Sequence, residues 1–167
     1  MKRILAVAAV VALLVGCDSK QDAPFGLKWG QRMDSVSFIK DGDCEKKRAE
    51  TVCSFDNTPP FNDWSYENTL KFKSDKLVEI NTMFNGVDSR STFCAMLAME
   101  SEYLSSVINI KDNSQLTSAV ENCSELSRNA LGREALSEDF ESKYGKVSVF
   151  LMIDPYVGSV TYSPPTK

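Results

Sequence analysis

Leu70-Lys71-Phe72-Lys73-Ser74-Asp75-Lys76-Leu77-Val78-Glu79-Ile80-Asn81-Thr82-Met83-Phe84 is the stretch on which the fold turns. Leu70 and Phe72 alternate with Lys71 and Lys73, and Val78, Ile80, Thr82 and Phe84 alternate with Glu79, Asn81 and Met83. A period of two puts one set of side chains on each face of a strand, so one face is buried and the other is wet. The break at Ser74-Asp75-Lys76 makes the pair a hairpin, with one arm from Tyr66 to Lys73 and the other from Leu77 to Phe84.

Upstream, Thr51-Val52-Cys53-Ser54-Phe55 has strand composition and ends at Asn57-Thr58-Pro59-Pro60, while Met33, Val36 and Ile39 are spaced for one face of a short helix that Asp41-Gly42-Asp43 breaks. Downstream, Gly86 marks a change of period. From Ser89 the positions Phe93, Met96, Leu97, Tyr103, Leu104, Val107 and Ile108 follow helical spacing. A second helix is predicted after Lys111-Asp112-Asn113, with Ser114 as N-cap and Leu116, Ala119, Val120, Cys123, Leu126 and Leu131 on one stripe. Glu134 to Tyr144 reads as more helix closed by Gly145, and Val147 to Ile153 with Ser159 to Tyr162 as a second hairpin. The expected fold is α+β: an antiparallel sheet of about five strands with helices packed on one face.

The first seventeen residues stand apart from this pattern. Lys2 and Arg3 precede an apolar run from Ile4 to Val15, about a dozen residues and too short to span the roughly 30 Å hydrocarbon core of a bilayer. The run therefore reads as the core of a secretion signal. Its ending, Leu14-Val15-Gly16-Cys17, resembles the lipobox of bacterial lipoproteins, which implies lipid attachment to the Cys17 sulfur, cleavage before Cys17, and acylation of the new amino terminus. Asp18 resembles the signal that keeps such proteins in the inner membrane, with the outer membrane as the alternative. Residues 1–16 are thus expected to be a lipoprotein signal peptide, 17–24 a polar lipidated tether, and 25–167 a single domain.

Assigning Cys17 to lipid leaves Cys44, Cys53, Cys94 and Cys123, an even set in an oxidising compartment. Of the three possible pairings, Cys44 with Cys53 and Cys94 with Cys123 each join elements that the pattern makes neighbours. In the chain-entropy model such loops contribute roughly 3 and 3.5 kcal/mol. Loss of Lys2 and Arg3 with the leader leaves 17 basic side chains against 23 acidic ones, a net charge of −6. A surface of that sign disfavours nucleic acid as a partner.

Phe25-Gly26-Leu27-Lys28-Trp29-Gly30, followed by Met33 and Val36, resembles the Phe-Gly-aliphatic-x-Trp-Gly opening of many small secreted or lipid-anchored bacterial domains. It is more distantly similar to the helix start of outer-membrane-assembly lipoproteins of the SmpA/OmlA type, in which helices pack on a small antiparallel sheet. The resemblance implies no activity. Physically, Gly26 and Gly30 allow tight turns, and Phe25, Leu27 and Trp29 are expected to plug the core.

The chain has no histidine, which excludes Ser-His-Asp and Cys-His machinery and histidine-based zinc sites. No P-loop, dinucleotide fingerprint, Gly-x-Ser-x-Gly or Cys-x-x-Cys motif is present, so neither a cofactor nor a metal is expected. What chemistry remains is a Ser-Lys pair or carboxylates: Glu134, Glu138, Asp139 and Glu141 cluster in sequence, on what reads as a solvated helix face, and Asp41 and Asp43 lack the other positions of a calcium loop. Recognition is better represented. Thr58-Pro59-Pro60-Phe61-Asn62-Asp63-Trp64 sets two aromatics in a proline-stiffened loop, and Asp154-Pro155-Tyr156-Val157-Gly158 sets a tyrosine at a hairpin tip. Phe61, Trp64 and Tyr156 are therefore the candidate interaction surface.

The expectation is a membrane-anchored periplasmic lipoprotein that is not an enzyme and acts as a binding or accessory module for a protein or envelope component. An immunity or inhibitor lipoprotein that neutralises a toxin or hydrolase is the alternative within that class. A carboxylate or Ser/Lys enzyme is the contrasting one.

Overall fold

The computed structural model describes residues 21–85, 89–125, 135–153 and 155–166. The leader, Cys17 and Asp18, with Leu126, Leu131 and Glu134, lie outside the described residues. Among the described residues seven strands form one antiparallel sheet: β1 (Asp43–Lys47), β2 (Glu50–Phe55), β3 (Glu67–Lys73), β4 (Lys76–Asn85), β5 (Ala135–Ser142), β6 (Gly145–Ile153) and β7 (Tyr156–Ser163). Their order is β1-β2-β3-β4-β7-β6-β5, so two meanders meet along the β4–β7 seam. Two helices, α1 (Arg90–Tyr103) and α2 (Ser114–Glu121), lie between the meanders in sequence, and α1 packs on β4 and β7. The α+β class and two disulfides agree with expectation; the sheet has seven strands where five were expected.

Two elements account for the difference. The stretch predicted as helix from Glu134 to Tyr144 is strand over its described part, pairing along its length with β6. Leu136 and Phe140 are four apart, which suits a helix, but they are also two strand periods apart with Glu138 between them. A charged residue on the inward face of an edge strand hid the alternation. The charged stretch after Asp41-Gly42-Asp43 likewise contains β1, whose side chains are all exposed, so no apolar periodicity announces it. The helix expected across Met33, Val36 and Ile39 is instead a series of single 3-10 turns, at Met33–Ser35 and Ile39–Asp41.

The central hairpin has the expected face except at one position. Leu70, Phe72, Ile80, Thr82 and Phe84 are buried, but a bulge near Lys71 and Phe72 pairs Phe72 with Leu77 and shifts the alternation. Leu77 is therefore inside, while Val78 is half-buried. The opposite face of the sheet stays wet. One row across all seven strands reads Asp43, Ser54, Thr69, Asn81, Thr161, Ser148 and Asp139 in register, short polar side chains throughout.

The amino-terminal arm closes the core where β7 stops pairing with β4. Gly30 N donates to Leu77 O and Leu77 N donates to Gln31 O, while Leu27 and Trp29 are buried and the Trp29 indole donates to the Tyr144 carbonyl. Gly26 and Gly30 take positive φ, as their turns require, and Phe25 shares that left-handed region at φ 62°. Asp22 forms a bridge with Lys28, and Ala23 and Pro24 are buried. Packing is thus under way within the stretch whose composition suggests a tether.

Both expected disulfides are present. Cys44 and Cys53 face each other across the β1–β2 hairpin with Cα atoms 3.9 Å apart, and Cys94 and Cys123 join α1 to the turn after α2. Ser89 caps α1 by accepting from Thr92 N at 3.2 Å. At α2 the cap position falls to Asn113 rather than Ser114, whose hydroxyl donates to Asp112 instead. Among the described residues no helix is long and apolar enough to cross a membrane.

Candidate functional site

Helix α1 buries Phe93 and Leu97, and the same stripe continues through Glu100 to Leu104 and Ile108. Spacings of four, three, four and four residues keep all five on the inward face. Glu100 is only 2% exposed. Its Oε2 accepts the Trp64 indole N–H at 2.6 Å. The side chains of Asn62 and Tyr162 face the same carboxyl and favour its charged form, yet neither closes a well-formed hydrogen bond to it. Oε1 is consequently left without a partner among the described residues, as are Asn62 Nδ2, Thr82 Oγ1 and Tyr162 Oη nearby in the core.

Desolvation dominates the electrostatics of this cluster. Burial raises the Glu100 carboxyl from 4.5 to about 7, against the opposing pull of the Trp64 hydrogen bond and the Asn62 and Tyr162 dipoles. Tyr103 and Tyr162 are pushed well above the ordinary phenol range, first by burial and then by proximity to Glu100. Aromatic packing holds the cluster in place. Phe25 stacks on Tyr103 and meets Tyr162 edge-on, both at 5.9 Å between centroids, and touches Phe61 at 5.2 Å. The left-handed Phe25 backbone, unfavourable for a bulky residue, belongs to the turn that brings this ring between the others.

Outside Glu100, Trp64 and Tyr103 meet edge-to-face at 6.3 Å and open onto a groove of 240 Å³, whose remaining walls are Met99, Glu102, Ser106 and Val107. Met99 is 40% exposed and Val107 44%. Val107 follows the helical spacing read from the sequence, but α1 continues from Leu104 to Ile108 as a π-helical turn. Its wider winding keeps Leu104 and Ile108 inside while Val107 faces out.

The three residues of the candidate interaction surface are not brought to one place. Phe61 is buried, in contact with Phe25, Phe38 and Phe55, so its contribution is to packing. Trp64 is half-buried at the groove. Tyr156 lies near the start of α1, 5.5 Å from the Phe93 ring and accepting from Arg90 Nε, about 15 Å along the helix from the groove. The sequence reading missed Glu100. Its signal was present: an acid at the one position of an otherwise apolar helical stripe.

Of the carboxylates considered for catalysis, Glu138, Asp139 and Glu141 lie on β5, and Glu134 is outside the described residues. Asp139 faces the wet side, where the Lys146 ammonium and the Ser148 hydroxyl hold it below the usual carboxylate range. Glu138 points to the other face. Among the described residues no group of three or more cysteines or carboxylates is placed to hold a metal ion. Glu100 accepts from the Trp64 indole and faces the Asn62 and Tyr162 side chains without closing a hydrogen bond to either. No protein-family model, no curated protein and no solved structure matches this chain.

Proposed function

We propose that the chain is a membrane-anchored periplasmic lipoprotein, held through Cys17, that works as a non-catalytic binding or accessory module for a protein or envelope component. The observation that carries this reading is the groove on the outer side of α1. Large apolar side chains, Met99 and Val107, stand in solvent beside the half-buried Trp64 and Tyr103. Their exposure costs stability that the fold could avoid, and Trp and Tyr are the residues that most often anchor protein interfaces. Two disulfides bracing the domain support an oxidising compartment and give such a surface a rigid mount. A second reading within that class, an inhibitor or immunity role against a basic target, draws on one feature, the Glu102 carboxylate on the groove wall.

A photo-crosslinking residue placed at Val107 of the full lipidated protein, in its own envelope, tests the reading. It is expected to capture a defined partner, and Trp64→Ala is expected to abolish that capture while circular dichroism reports an intact fold. Tyr156→Ala, at the far end of α1, is expected to leave it in place. Capture that is indifferent to Trp64, or absent altogether, would remove the groove as the binding surface.

A further inference from the structure

We propose that the groove between Trp64 and Tyr103 receives an arginine side chain presented by a protein partner. The inference rests on the groove being the binding surface and specifies what enters it. The charge and shape of its walls both point to a cation. Trp64 and Tyr103 meet edge-to-face at an interplanar angle of 73°, so the groove has an aromatic wall, and Glu102 sets a carboxylate beside it. Among the described residues no lysine or arginine lines the groove.

Met99 and Val107 suit the methylene stem of a long basic side chain, whose polar head would reach the aromatic pair. Arginine fits better than lysine. Its guanidinium is planar, stacks on aromatic faces, and carries enough donors to meet the Glu102 carboxylate at the same time.

The chain carries two tryptophans, which gives the test an internal control. Trp29 is buried with its indole on the Tyr144 carbonyl, whereas Trp64 forms the groove wall. The full lipidated protein in non-ionic detergent, labelled with 15N, is titrated with acetyl-Gly-Arg-Gly-amide and with the same peptide carrying citrulline, which keeps the shape and loses the charge. The Trp64 indole resonance is expected to shift while that of Trp29 stays still, with the citrulline peptide binding roughly tenfold more weakly. Glu102→Gln is expected to weaken the arginine peptide by about threefold and leave the citrulline peptide unchanged.

Equal binding of the two peptides, or no Trp64 shift with either, overturns the proposal. So does phosphoethanolamine binding as tightly as the arginine peptide, which would assign the groove to a lipid headgroup. Trp64-dependent crosslinking at Val107 with peptides that do not discriminate would retain the groove as an interface and reject the arginine. Loss of that crosslinking rejects the interface itself.

Discussion

Trp64 donates its indole N–H to Oε2 of Glu100 at 2.6 Å, so a half-exposed ring on a loop is fastened to an almost wholly buried acid on a helix. The contact joins two parts of the chain 36 residues apart and fixes the wall of the groove. Its strength depends on whether the acid is charged, since hydrogen bonds to ionised groups are roughly twice as strong as neutral ones.

Stability is expected to depend on pH through Glu100. Folded, the carboxyl keeps its proton up to about pH 7, against 4.5 when exposed. Between those values the folded state binds more protons than the unfolded one, so the contribution of this group is most favourable below pH 4.5 and declines as pH rises through 7. The full decline is on the order of 3 kcal/mol. Glu100→Gln, uncharged at every pH, is expected to flatten the difference in urea midpoint between pH 5 and pH 8. A variant whose profile parallels the parent protein would show that Glu100 does not titrate in this range.

Trp64→Phe keeps an aromatic ring in the groove wall and removes the donor. Glu100 would then lose its best-formed hydrogen bond, at a cost of about 1–3 kcal/mol for a buried acceptor left unpaired. Combining Trp64→Phe with Glu100→Gln is expected to cost less than the sum of the single changes, as urea denaturation of the four proteins will show.

The two disulfides are expected to act over different ranges. All five side chains of β1 are exposed, and its partners are β2 and the Cys44–Cys53 bridge. Replacing both cysteines by alanine should fray that edge and expose the amides of 43–47 to hydrogen exchange while the rest of the sheet stays protected. The Cys94–Cys123 bridge ties the helical layer across 29 residues, and its removal should lower global stability by about 3.5 kcal/mol.

Gly158 lies opposite Phe84 across the seam between β4 and β7, and a Cβ there would sit 2.1 Å from the ring. Phe84 is fully buried and stacked near Phe93, so it has little room to yield. Gly158→Ala should destabilise by about 1–3 kcal/mol through overpacking, measured by thermal unfolding. Gly26, whose Cβ position is open, is a control for glycine loss without a clash, although its positive φ makes alanine there mildly unfavourable.

What the sequence disclosed depended on whether burial left a repeating signal. Leu70 to Phe84 alternate because one face is dry, and Phe93, Leu97 and Leu104 recur helically for the same reason; both were readable. Edge strands bury less, so β1, without a buried side chain, and β5, with Glu138 on its inward face, left weaker patterns. Register inside the hairpin was readable up to the bulge that brings Leu77 in, because a one-residue insertion has no signature in composition. At the site, the aromatic loop drew attention to Trp64, which lines the groove, but burial of Phe61 depends on contacts from the amino-terminal arm that no local pattern encodes. Glu100 occupies an apolar helical stripe, so its burial is legible from spacing even though its charge signals exposure.

The seam between β4 and β7 has a consequence for how the chain reaches its structure. Each meander pairs neighbours in sequence, whereas the seam joins Asn85 to Val157 and must close an excursion of about 70 residues. Contacts of such separation form late, since the entropy of closure comes before any reward. The Cys94–Cys123 bridge lies wholly within that excursion and shortens it by 29 residues once formed. Oxidation of this pair should therefore speed the docking of the two half-sheets, so that one covalent bond in the helical layer helps strands on either side of it to find each other.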